Sequence, residues 1–87
     1  MPAEKKVVAE LKRCFCEAAG CVIRYTLMDS REMEKYGMTD AERLSHKTRA
    51  IGERNAFRKA LKILGVRDGE IQELLDGIKI RAKGDDN

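Results

Sequence analysis

Gly20-Cys21-Val22-Ile23-Arg24-Tyr25-Thr26-Leu27 is the stretch that decides the fold. Val22, Ile23, Tyr25 and Thr26 are β-branched or aromatic, the residue types that fit a pleated, half-buried surface. Extended backbone would put Cys21, Ile23, Tyr25 and Leu27 on one face and Arg24 and Thr26 on the other. These features predict a strand over residues 21–27. The competing arrangement is a helix that runs straight through Gly20, because Val22 also continues the helical spacing of the residues before it.

Upstream, residues 4–19 read as an amphipathic helix. Val7, Val8, Leu11, Cys14, Phe15, Ala18 and Ala19 recur at three- and four-residue steps, and Lys5, Lys6, Lys12, Arg13 and Glu17 fall mostly on the other side. Gly20 then supplies a natural C′ stop. Downstream, residues 28–39 form a connection in which Ser30 is placed to cap a short turn that Gly37 ends. Thr39 followed by Glu42 has the spacing of a capping box and opens a helix at Asp40. That helix can run to Leu64, about 37 Å, with Gly65 as its C′ residue. Gly52 interrupts its apolar stripe. Leu44, Thr48 and Ile51 define one face before it, and Phe57, Ala60, Leu61 and Leu64 another after it. The expectation is a bend at Gly52 or two halves packed on different neighbours. Asp68 caps a last helix from Gly69 to Leu75 that Gly77 ends, and residues 78–82 alternate apolar and basic as a second strand would. The sum is an α+β domain, predominantly helical, in the order α-β-α-α-β. Its two-stranded sheet is covered by helices or completed by dimerisation through residues 21–27. One domain spans residues 1–83 and a frayed tail 84–87.

The chain has 87 residues, too few for more than one core, and 43% of them are hydrophobic. No run of 18 apolar residues is present, which leaves no membrane-spanning helix to expect. Residues 1–10 carry no apolar segment of the kind a secretory signal needs. The cysteines are Cys14, Cys16 and Cys21, an odd number, spaced C-x-C-x4-C. That spacing fits no common zinc site and no disulfide framework, so a cytoplasmic protein without a metal or other cofactor is expected. Cys14 and Cys21 then read as small buried hydrophobes. No catalytic constellation stands out. His46 is the single histidine, Glu32, Glu34, Asp40 and Glu42 flank a turn and a helix start where acids belong, and Cys16 has only Arg13 nearby to lower its pKa. The chain is expected not to be an enzyme.

Charge is unevenly spread. Residues 43–62 hold seven Lys or Arg against Glu53 alone, although the whole chain is only +3. On a helical wheel Arg43, Lys47, Arg54, Arg58 and Lys62 fall within about 100° of one another. Cations one turn apart suit a phosphate backbone better than one small ligand, and Asn55 and His46 add polar contacts. The expected function is a small nucleic-acid-binding protein, with DNA favoured over RNA. Its candidate residues are Arg43, Lys47, Arg54, Arg58, Lys62 and Asn55. Solubility alone would also account for a basic surface helix. The rival function is a protein adaptor or inhibitor module of phage or plasmid origin. It would contact an acidic partner with the same helix or use the loop that carries Met28, Met33 and Met38.

The stretch Ser45-His-Lys-Thr-Arg-Ala-Ile-Gly-Glu-Arg-Asn-Ala-Phe-Arg-Lys-Ala-Leu-Lys-Ile-Leu-Gly-Val66 resembles a helix of the phage-type single-strand annealing recombinases of the Erf and RecT group. The matching positions are Lys47, Thr48, Arg49, Ala50, Ile51, Arg54, Asn55, Ala56, Arg58, Ala60, Leu61 and Gly65. The resemblance implies a helix that helps to hold DNA and a part as a recombination accessory.

Overall fold

The computed structural model describes the backbone of residues 2–84 and the side chains of residues 4–79. The described chain is helical: α1 Pro2–Leu27, α2 Ser30–Lys35, α3 Asp40–Ile63 and α4 Asp68–Gly84. The two strands expected at 21–27 and 78–82 are both helix, so the α+β reading and the two-stranded sheet are corrected to an all-helical fold among the described residues. A dimer built by pairing strands at 21–27 goes with them. The tail expected at 84–87 lies, from residue 85 on, outside the described residues.

The reason for the first correction is a seam. α1 and α3 pack against each other as an antiparallel hairpin, with Tyr25 beside His46 at one end and Phe15 clustered with Leu61 toward the other. On α1 the less exposed positions are Val8, Leu11, Phe15, Ala18, Val22 and Tyr25, a three-four alternation that crosses Gly20 without a break. A helix that keeps Val22 and Tyr25 on this seam gains tertiary burial, which outweighs both the β preference of CVIRYTL and the cost of about 1 kcal/mol for a mid-helix glycine. The same logic governs the end of the chain. Ile71, Leu74, Leu75 and Ile78 sit at helical spacing, Ile71 and Ile78 are buried, and α4 runs through Gly77.

The seam on α3 is Arg43, Lys47, Ala50, Arg54, Phe57 and Leu61, in alternating steps of four and three. Leu44 and Thr48, expected inside, are exposed. One face of α3 therefore serves both halves, and Gly52 marks no interruption of the helix and no change of face. The core is small. Phe15, Leu61, Val66 and Ile71 form its centre, with Val8, Leu11, Cys16, Phe57, Leu74 and Leu75 packed around them. α4 thus closes the open end of the hairpin, mainly against α1. Toward the closed end the seam narrows to Ala18, Ala19 and Ala50, all buried. The result is elongated, 47 × 28 × 19 Å.

Local stop and start signals behave as their chemistry requires. Thr39 Oγ1 accepts from the Glu42 backbone N–H at 3.1 Å, and the Glu42 carboxylate accepts from the Thr39 N–H at 3.1 Å, a complete capping box. Gly65 has φ +92°, a left-handed backbone, and ends α3 in a Schellman turn. In it the Val66 N–H donates to the Leu61 carbonyl at 2.9 Å and the Gly65 N–H to Lys62 at 3.0 Å. Val66 then folds back onto Leu61 in the core. The short α2 repeats the device with Gly37, φ +63°, where Met38 N–H donates to Met33 O. Its N-cap is Asp29, whose carboxylate accepts from Glu32 N–H at 2.9 Å, rather than the expected Ser30.

Two glycine substitutions should have opposite signs. Gly20 lies inside α1 and an added Cβ meets nothing within 4 Å, so Gly20→Ala should stabilise the chain by up to about 1 kcal/mol. Gly65→Ala forces a side chain into the left-handed region and should destabilise by about 1 kcal/mol. Urea denaturation of both variants measures the pair, and a destabilised Gly20→Ala would contradict a continuous α1.

Glu42 titrates below its ordinary carboxylate range, because the Thr39 backbone N–H and then the Thr39 hydroxyl favour the ionised form. A lowered folded-state pKa means that this contribution to stability is complete above the unfolded value of 4.5 and is lost as pH falls through the lower folded one. Glu42→Gln keeps an acceptor at this position without the charge. Its stability should therefore fall less than that of the parent when denaturation at neutral pH is compared with denaturation well below 4.5.

Candidate nucleic-acid interface

The five cations expected to form one open row divide into two groups. Arg43, Lys47 and Arg54 belong to the α3 seam and are part-buried. The Arg43 side chain is only 17% exposed. Its Nη1 donates to the Tyr25 carbonyl at 2.9 Å, and its Nε and Nη2 donate to Asp40 Oδ1 at 3.1 and 2.9 Å. Tyr25 lies in the last turn of α1, where carbonyls have no partner inside their own helix. Arg43 thus caps α1 from α3 and neutralises the negative end of its dipole. It is a structural residue, and its guanidinium is not presented to solvent. Lys47 and Arg54 lay aliphatic stems along the same seam, and Arg54 Nη2 donates to Asn55 Oδ1 at 3.4 Å.

Arg58 and Lys62 stand on a different side of α3. Together with Asn55, Lys59 and Ile63 they line an open groove of about 550 Å³ along the second half of the helix. The five residues follow one another at three- and four-residue steps, a signal already present in the sequence. Lys59 and Ile63 were not among the expected site residues, because the wheel was centred on Arg54 rather than on Arg58. Across the α3–α4 turn, Asp68 Oδ1 lies 3.3 Å from Lys62 Nζ and 3.9 Å from Arg58 Nη2. Both cations remain about half exposed despite this shared partner. Lys59 has no ion-pair partner among the described residues. On the other exposed surfaces cations and acids alternate. Arg49 Nε donates to Glu53 at 3.2 Å, and Arg13 bonds both Glu10 and Glu17. The hydrogen bond from Arg13 and its charge hold the Glu10 carboxyl below its usual range. The groove is where positive charge is least compensated.

Other expected site residues scatter. His46 stacks on Tyr25 with ring centroids 5.4 Å apart, beside Cys21, Arg49 and Glu53, in a cleft of about 140 Å³ well separated in sequence from the groove. Cys21 is exposed, and Cys16, not Cys21, packs against the core. Among the described residues no three His, Cys, Asp or Glu side chains gather as a metal site. Met28 is buried and Met33 and Met38 are half-buried, so the connection keeps much of its sulfur inside. No described helix is long and apolar enough to cross a membrane. No family model, curated protein or solved structure matches the chain.

Arg43→Ala should separate the two groups of cations. Removing the cap leaves the Tyr25 carbonyl part-buried and unpaired, at a cost of about 1–3 kcal/mol in urea denaturation. Binding of any polyanion to the folded variant should be unchanged, since Arg43 lies outside the groove.

Proposed function

We propose that the chain binds nucleic acid through the phosphate backbone, without base readout, using Arg58, Lys59 and Lys62 with Asn55. The observation that carries this reading is the groove itself, where three cations and an amide converge on one open surface against a single carboxylate. Arg58 offers a planar fork suited to two phosphate oxygens, and the two lysines act as compact charges on flexible stems. Asn55 adds an amide that donates to phosphate or sugar oxygens. The likeness of residues 45–66 to a DNA-holding helix of annealing recombinases points the same way. Arg43, Lys47 and Arg54 drop out of the proposed contact set.

Three neutralised phosphates set the scale. The affinity should fall with the logarithm of salt with a slope of about −2.7 on duplex and about −2.1 on single strands. A fourfold rise in salt would then weaken duplex binding by roughly forty-fold. Fluorescence anisotropy with single-stranded and duplex DNA at two salt concentrations reads this directly. Arg58→Glu with Lys59→Glu should abolish the shift while circular dichroism stays helical. Asp68→Asn should tighten binding, because it removes the carboxylate that competes for Arg58 and Lys62. No salt-sensitive shift with either polymer at low ionic strength would overturn the proposal.

A further inference from the structure

A second exposed surface, at the open end of the hairpin, has the pattern of a self-complementary contact. Glu4, Lys5, Val8, Ala9, Lys12 and Leu64 line a shallow groove of about 480 Å³. Apolar side chains crowd this end without cover. Val7 is 51% exposed, Leu64 46% and Ile63 76%. Glu4, Val8 and Lys12 occupy one stripe of α1 at four-residue steps, with opposite charges equidistant from a small apolar centre. We propose that this stripe, with Ala9 and Leu64, is the interface of a two-fold homodimer in which the α1 helices of two copies cross antiparallel at Val8.

The charge arrangement selects a second copy over any other occupant. A two-fold axis through Val8 places Glu4 of each chain opposite Lys12 of the other, so both ion pairs form at once, as an isologous contact requires. A parallel arrangement would set Glu4 against Glu4 and Lys12 against Lys12. Lys12 already reaches Glu70 within its own chain at 3.3 Å, and its ammonium, with three donors, can serve both carboxylates. Ala9, beside Val8, lets the helices approach to the 8–10 Å typical of packed pairs. Leu64 and Val7 then gain the cover that the monomer lacks.

Surface area agrees. The chain exposes 6557 Å², whereas a compact monomer of this mass would expose about 5200 Å². The excess exceeds the roughly 800 Å² that each partner of a standard interface contributes. Only Phe15, Leu61 and Ile71 are large side chains fully removed from water, so a second source of apolar burial matters for a chain of this length.

The inference does not rest on nucleic-acid binding, and sedimentation velocity without any ligand tests it. Over a hundredfold range of concentration the parent chain should show a monomer–dimer equilibrium. Leu64→Glu should leave it monomeric, with circular dichroism unchanged. Glu4→Lys alone and Lys12→Glu alone should each weaken self-association about tenfold, since each sets like charges against one another at both contacts. An equimolar mixture of the two variants should dimerise again, because the mixed pair restores attraction at both. A parent chain that stays monomeric across the range would overturn the proposal. So would dimers indifferent to Leu64→Glu, or variants that fail to rescue each other on mixing.

Discussion

The packing of α1 on α3 is the constraint on which the structure depends. Neither helix is stabilised by composition alone. α1 carries a glycine at its middle, α3 carries another at Gly52, and α3 holds seven cations over 20 residues. Isolated helices of such sequence would be marginal in water. The seam changes the balance because every third or fourth residue of one helix is covered by the other. It is anchored by Phe15 and Leu61, both fully buried, at the end where α4 adds Ile71. At the other end it depends on Ala18, Ala19 and Ala50, where small side chains let the backbones come close and polar stems fill the flanks.

What could be read from the sequence was local, and what could not was pairwise. The capping box at Thr39 and Glu42 and the left-handed stop at Gly65 involve residues a few positions apart, so their chemistry is written in the order of the chain. The strand expected at 21–27 came from β preferences that are just as local. It failed because the deciding partners of Val22 and Tyr25 lie some twenty to thirty residues away on α3. Val22 did continue the helical spacing of α1, and the competing arrangement through Gly20 is the one the chain adopts. At the other end, the alternation of IKIRA hid the longer spacing of Ile71, Leu74, Leu75 and Ile78.

The candidate site was legible to a similar depth. Placing Arg43, Lys47 and Arg54 on an open surface followed from treating charge as a mark of exposure. On this hairpin the rule is inverted at three positions, because long aliphatic stems cover apolar neighbours while their heads reach carbonyls or water. Arg43 is the clearest instance, since its whole fork is spent on Tyr25 and Asp40. Arg58, Lys62 and Asn55 were placed with the rest for the wrong geometric reason, yet they do share one groove. Their true companions, Lys59 and Ile63, become evident once the seam residues are removed from the wheel.

Asp68 links the groove to the core in a way that favours an accessible site. It stands in the first turn of α4, where a negative charge suits the positive end of the helix dipole, and it also pairs with Arg58 and Lys62. A polyanion in the groove must compete with it. Half-exposed ion pairs of this kind are worth about 0–1 kcal/mol, whereas the Ile71 side chain, buried against Phe15 and Leu61, contributes roughly 1.5–3 kcal/mol to holding α4 in place. The apolar contact therefore outweighs the ionic one. Arg58 and Lys62 can exchange Asp68 for phosphate at small cost while α4 remains docked, so the fold does not have to open for the groove to work.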